Sequence, residues 1–144
     1  MKIEIRDYEP SDFGQIMDVW HETQLGGAQR GDTQEIIEQS IAMGGRLIVA
    51  VESQKEIVGT SWMTFDGRRI HLHHIGVKPS HQRNGIGSML TQFSLKHAKE
   101  TGYQIKLEVH KENLAAISIY KQLGFKYLGD YDVYIVRDVS SVPY

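Results

Sequence analysis

The groups best placed to do chemistry fall in one continuous stretch, Ile70 to Met89, which contains His71, His73, His74, Lys78, His81 and Arg83. Its first half alternates as a strand up to Val77, and Pro79 forbids continuation. On strict alternation His71 and His73 share one face and His74 points to the other, where it reads as structural. An imidazole of ordinary pKa ~6.5 is suited to relaying a proton near neutrality. The second half is a polar, basic loop, Lys78 to Asn84, that opens a helix at Gly85. A strand, a glycine-bearing loop and a helix N-terminus together aim unpaired N–H groups and partial positive charge at an anion. Gly85 and Gly87 lack Cβ and let a ligand approach the backbone, with Arg83 and Lys78 adding mobile positive charge. The stretch is a candidate phosphate site.

Two common phosphate loops are excluded. A Walker loop needs Gly-Lys-Ser/Thr where this chain has Gly-Ile-Gly-Ser, and a dinucleotide fingerprint needs a small residue where Leu90 stands. Metal is not expected: His71 and His73 could share an ion with His81 or His110, but no cysteine or carboxylate-rich loop accompanies them. A serine hydrolase is excluded because no Gly-x-Ser-x-Gly occurs. The chain has no cysteine, which removes disulfides, thiolate metal sites and a cysteine nucleophile together. A net charge of −2 gives no basic excess for nucleic acid. No apolar run approaches a membrane span and Met1-Lys2-Ile3-Glu4 has no signal-peptide core, so no membrane partner and a soluble, cytoplasmic protein are expected.

The elements that must position these groups follow from periodicity. The 144 residues suit one domain, 1–144, with 139–144 as a loose tail. Ile3 and Ile5 mark a short strand. Pro10-Ser11-Asp12 starts a helix carrying Phe13, Ile16, Met17 and Trp20, and Thr33 caps a second with Ile36, Ile37 and Ile41. Between them Gln24–Asp32 is either a substrate loop or a plain connector. Leu47–Val51, Ile57–Phe65 and the organising strand form three consecutive antiparallel strands, the last two joined at Asp66-Gly67. The helix after Gly85 stops at Thr101-Gly102, a strand follows at Ile105–Val109, and a last helix runs from Asn113 to Gly124. Phe125–Tyr131 and Asp132–Val136 read as a final strand pair. Asn113 and Tyr120 are seven residues apart, about 700° of helix, and so share a face with Ala116 and Ile117 between them.

Gln82-Arg83-Asn84-Gly85-Ile86-Gly87 resembles the Gln/Arg-x-x-Gly-x-Gly/Ala signature of the GNAT superfamily of N-acetyltransferases. Asn113-Leu-Ala-Ala-Ile-Ser-Ile-Tyr120-Lys-Gln-Leu-Gly124-Phe125 is similar to that family's block Asn-x-x-Ala-x-x-x-Tyr-x-x-x-Gly-Phe. The order of elements is also the family's. The resemblance implies an α/β (α+β) fold, a mixed, mostly antiparallel sheet of six to seven strands flanked by four helices. It implies acetyl-CoA as cosubstrate, with the loop Gln82, Arg83, Asn84, Gly85, Ile86, Gly87 and Ser88 on the pyrophosphate. The organising strand and the strand at Ile105–Val109 would splay so that the backbone of Ile75, Gly76 and Val77 faces the thioester and pantetheine, Gly76 tolerating the bulge. Asn113 and Ala116 would flank the pantetheine, Asn113 capping its helix as well or instead. Tyr120 matches the family's general acid for the departing thiolate, whose thiol titrates near ~8.5.

A base must deprotonate the acceptor amine. His71 and His73 resemble a histidine pair in serotonin-type arylalkylamine N-acetyltransferases. Glu108, twelve residues before Tyr120, resembles a carboxylate of ribosomal-type protein N-terminus acetyltransferases. Both remain open. The expected reaction is direct acetyl transfer to a primary amine of a small molecule. A protein N-terminus or lysine is the alternative acceptor, and a non-catalytic acyl-CoA-binding regulatory module the alternative of another class. By the same resemblance the acceptor site draws on Gln24–Asp32 and Asp130–Tyr134, with Asp130 and Asp132 available to an ammonium group, and a homodimer is possible.

Overall fold

Leu47 to Val51 is buried at every position, and the rest of the molecule is layered about it. In the computed structural model, which describes residues 1–26 and 30–144, this strand, β2 (Arg46–Glu52), is covered on both faces, which is why it reads as an unbroken apolar run. Leu47, Val49 and Val51 pack with Ile16, Val19 and Trp20 of α1 (Phe13–Thr23) and with Ile37 of α2 (Gln34–Ala42). Ile48 and Ala50 point to the opposite face, where Ile86, Leu90 and Ala98 of α3 (Ile86–Thr101) close a second core. Period-two side chains on one strand thus serve two helical layers.

Among the described residues the sheet has five strands in sequence order. β1 (Ile3–Asp7), β2, β3 (Glu56–Phe65) and β4 (Arg69–Val77) are antiparallel neighbours, and β5 (Gln104–Leu107) runs parallel to β4. The parallel pair needs a crossover, which α3 supplies. Local chemistry sets the ends. Thr33 Oγ1 accepts from the Ile36 amide, 3.2 Å, at the start of α2. Asp66 Oδ1 accepts from the amides of Arg68 and Arg69 at 2.8 and 2.7 Å, closing the β3–β4 turn. Asn113 Oδ1 accepts from the Ala116 amide, 3.3 Å, and so caps α4 (Leu114–Gln122).

The expected six to seven strands are therefore corrected to five. Phe125–Tyr131 and Asp132–Val136 have strand-type composition but form no ladder, and the fifth strand ends at Leu107 rather than Val109. β-Propensity is a preference for a half-buried pleated surface, and it needs a neighbouring edge. β5 is four residues long and edges the sheet, and Tyr127, Tyr131 and Tyr134 stay 78, 81 and 91% exposed. Within 139–144, expected to be loose, Val139–Ser141 forms one 3-10 turn capped by Asp138. No helix among the described residues is long and apolar enough to cross a membrane.

Candidate active site

β4 and β5 stay paired only from Arg69↔Gln104 to Leu72↔Leu107, while β4 continues to Val77. β5 ends at Leu107, which leaves a gap along the β5-side backbone edge of residues 73–77. Opposite this gap β4 carries a bulge. Trp62 pairs with His73 and Thr60 with Gly76, so Ser61 alone faces both His74 and Ile75. The extra residue is His74, at φ +45, a strained setting for a side chain with Cβ. The bulge expected at Gly76 thus falls two residues earlier. Gly76 has another duty: a Cβ there would lie 2.5 Å from Leu25 Cδ1, so the chain leaving α1 rests directly on β4.

At the end of β4 the loop turns through Pro79–His81 into α3. Among the described residues no acceptor meets any backbone amide from Arg83 to Ser88; the first bond of the new helix is Met89 N–H to Gly85 O, 3.0 Å. Gly85 sits at φ +79, a left-handed position that favours glycine. The loop is shaped from within. Gln82 Nε2 donates to Val77 O at 2.9 Å, and Asn84 Nδ2 donates to His81 O and Gln82 O at 3.2 and 3.3 Å. The Gln82 and Asn84 side chains therefore hold the cradle, and its ligand groups are backbone amides. The expectation of two mobile cations is half right. Arg83 is exposed and meets no carboxylate among the described residues. Lys78, however, is pinned between Glu22 at 3.3 Å and Glu56 at 3.2 Å.

Facing the cradle, the site a Gly87 Cβ would take lies 3.8 Å from Ile119 Cδ1 and 4.0 Å from Val77 Cγ2. Next to Ile119 on α4 is Tyr120, 8% exposed and edge-on to Phe125 at 5.7 Å. Its hydroxyl has no partner among the described residues, yet no buried polar side-chain atom is left unsatisfied. The hydroxyl therefore borders solvent, at an opening. Burial pushes the phenol up to about 12. Ala116 is half-buried and Asn113 exposed.

The histidines give the main surprise. His71 and His73 do share a face, with rings 6.0 Å apart and 23° between planes. His74 was expected on the other face. The bulge returns it to theirs, 6.3 Å from His73 and edge-on to Trp20 at 4.6 Å and Trp62 at 5.3 Å. Three imidazoles consequently line one surface. His71 Nε2 meets Asp66 Oδ2 at 3.2 Å, His73 Nε2 meets Thr64 Oγ1 at 2.8 Å and His74 Nε2 meets Asp32 Oδ2 at 2.8 Å. His73 is pushed below its ordinary pKa, first by burial of its ring among these neighbours and then by the other two imidazoles. The amides of Arg69 and Arg68, with His71, hold the Asp66 carboxyl well below the carboxylate range.

Asp32, 7% exposed, and both tryptophans belong to this surface and were not singled out from sequence. Trp20 Nε1 donates to Thr60 Oγ1 at 2.9 Å, and that hydroxyl donates to His74 O at 2.7 Å, fixing the bulge to α1. Glu108 lies just past the last residue of β5, exposed. Asp130 and Asp132 are exposed and lack partners among the described residues. Of the candidate loop Gln24–Asp32, residues 27–29 lie outside the described residues. Glu52, Glu56 and His81 bring ligand-type atoms within 4.8 Å of one another, but His81 bonds to Glu52 and Lys78 to Glu56, which already balances the cluster.

The model of the family described as "Acetyltransferase (GNAT) family" matches residues 13–125, a span that takes in the cradle, the gap and Tyr120. The chain belongs to the GNAT acetyltransferase family. Human N-acetyltransferase 8B is 29% identical over 109 residues, which is 71% of this chain and 48% of that protein; the chain thus spans about half the length of this curated relative. An acetyltransferase of Clostridium acetobutylicum solved with acetyl-CoA is 16% identical, with a TM-score of 0.73 over 93% of this chain and 96% of that one. The PaiA N-acetyltransferase of Thermoplasma acidophilum, in complex with coenzyme A, is 21% identical, with a TM-score of 0.73 over 88 and 91%. These two likenesses concern the fold. This GNAT chain has the family's mixed α/β architecture with four helices, on a five-stranded sheet.

Proposed function

We propose that this protein transfers the acetyl group of acetyl-CoA directly to a primary amine of a small molecule. The observation that carries the reading is the run of unpaired amides from Arg83 to Ser88 at the mouth of the β4–β5 gap. A diphosphate there is held by backbone donors and the helix dipole, with Arg83 alongside. Ile86 is buried beneath the cradle and gives it a rigid floor. The pantetheine arm runs into the gap along Ile75, Gly76 and Val77, past Asn113 and Ala116, and brings the thioester to Tyr120. A groove of about 630 Å³ on the α1 side supports a small acceptor, because clefts for small molecules measure roughly 300–1,000 Å³.

In the reaction the amine nitrogen attacks the thioester carbon, the C–S bond breaks and the amine loses its proton. An ammonium of pKa near ~10 must first be deprotonated. The histidine face supplies the acceptor for that proton. His73 stays neutral because its pKa is lowered, which also makes it a weaker base, so His71 beside it and Glu108 stand with it as the candidate bases. Tyr120 serves the leaving thiolate. Burial raises the phenol to about 12, so its O–H stays protonated and available as a donor near neutral pH. Tyr120 therefore acts chiefly as a hydrogen-bond donor to the developing sulfur charge, worth roughly 1.5–3 kcal/mol.

Acetyl-CoA should raise the melting temperature, and CoA thiol should appear when small primary amines are added. Binding with no turnover on any amine or peptide would leave a non-catalytic acyl-CoA-binding module; turnover on peptides alone would move the acceptor to protein. Loss of the acidic limb of the rate profile in His73→Gln or His71→Gln, but not in Glu108→Gln, is the expected assignment of the base.

A further inference from the structure

The groove beside the histidine face is lined by Trp20, His21, Gln24, Gly26, Arg30 and Arg137. Its inner wall touches the reaction surface. A Cβ at Gly26 would fall 2.5 Å from His74 Nε2 and 2.3 Å from Asp32 Oδ2, so only a hydrogen at that position lets the wall lie against the pair. Trp20, which lines the groove, is also the ring against which His74 packs. The groove thus adjoins His74 through Trp20 and Gly26, and Arg30 and Arg137 also line it.

Those arginines come from segments far apart in sequence, one on the loop after α1 and the other in the C-terminal segment. Arg30 Nη1 donates to Leu25 O at 2.9 Å, and its guanidinium makes no other bond among the described residues. Arg137 is exposed, and among the described residues no carboxylate pairs with either arginine. Asp32, the acid nearest Arg30 in sequence, is buried against His74. Two guanidiniums on one groove make a local positive site in a chain whose net charge is −2. Planar guanidinium forks match carboxylates in two-point hydrogen bonds, which an ammonium or an apolar acceptor could not use. The opposite polarity, a carboxylate awaiting an amine's positive charge, is not what lines this groove.

Resting on the acetyl-transfer reading above, we propose that the acceptor is an amine that also carries a carboxylate, an amino acid or an amino-acid conjugate, with Arg30 and Arg137 holding the carboxylate. The amine then lies toward the histidine face, where the base proposed above takes its proton and the acetyl group is received. The anion is a positioning group and takes no part in bond making.

The test is CoA release from acetyl-CoA with a panel of L-amino acids of differing side-chain size, each beside its own primary amide. The amide's amine is the less basic, so intrinsic reactivity favours the amide, and any preference for the acid must come from the protein. The best acid should exceed its amide at least tenfold in kcat/KM. Arg30→Gln and Arg137→Gln should each raise KM for the acid about tenfold with little change in kcat, shrinking the acid-to-amide ratio toward one. The corresponding lysine variants should keep part of the preference. Acids and amides used equally, a ratio unchanged in the arginine variants, or no acid used at all would each overturn the proposal. Failure of the acetyl-transfer reading shows separately, as no melting shift with acetyl-CoA and no turnover of uncharged amines.

Discussion

The two sides of the candidate site are built from different materials. The cradle at 83–88 is made of backbone donors from consecutive residues and is tied by Gln82 and Asn84 within the same loop. The acceptor side is made of side chains gathered from α1, the loop after it, β3, β4 and the C-terminal segment, with the Asp32–His74 pair joining residues 42 apart. A cradle of amides depends on φ/ψ and little on its neighbours. A surface of stacked tryptophans and a bulged histidine depends on the packing of the entire α1 face. Changes on the acceptor side should therefore cost stability as well as rate, and changes on the cradle mainly cofactor affinity.

The largest effect that would sharpen this contrast is Trp20→Ala. Trp20 is fully buried, stacks on Trp62 at 5.6 Å and holds Thr60, so its loss should cost roughly 3–5 kcal/mol of unfolding free energy. A denaturation curve with an unchanged midpoint would show that the acceptor side is not a packing unit. Next comes Tyr120→Phe. Removing a hydrogen bond to a developing charge worth roughly 1.5–3 kcal/mol should lower kcat roughly tenfold to a hundredfold, with KM for acetyl-CoA nearly unchanged; an equal loss in binding would make Tyr120 a packing residue. Smaller again is the difference between two cations of the loop region. Arg83→Ala should raise KM for acetyl-CoA roughly fivefold to tenfold, the scale of one exposed charge-assisted contact. Lys78→Ala should stay within about twofold, because its ammonium is already spent on Glu22 and Glu56. The reverse order would mean that those ion pairs open when cofactor arrives.

The smallest effect is in pH. Because folding depresses the His73 pKa, the unfolded chain takes up a proton that the folded chain refuses once the pH drops below the ordinary value near ~6.5. Stability should therefore fall from about pH 6.5 toward the depressed value and level off beneath it. His73→Gln lacks this contribution, so melting temperatures of the two proteins should converge as the pH is lowered through that window. Curves that stay parallel would place the ring in water.

What the sequence made legible follows the same division. The loop and helix start at 82–88 could be placed because Arg83, Gly85 and Gly87 fall within five residues, and α4 because Asn113 and Gly124 mark its ends. The four helices and four of the five strands could be placed because each has a clear period or cap; β5 was read one residue late at its start and two too long. Three features escaped. Alternation put His74 on the wrong face, because a bulge at a residue other than glycine carries no local signature. The Asp32 contact is a tertiary event, and nothing near residue 32 announces a partner at residue 74. The final strands were read from composition alone, but Tyr127 to Val136 forms no ladder and stays exposed, and composition cannot supply a pairing. Lys78 looked mobile for the same reason: Glu22 and Glu56 come to it through the fold.

The Trp20–Trp62 stack has a practical corollary. These are the chain's two tryptophans, and both indoles touch the imidazole of His74. Tryptophan emission therefore originates at a single locus beside the groove. A ligand entering there, or a proton settling on that imidazole, would alter the light the molecule gives back, with no dye attached and no residue replaced.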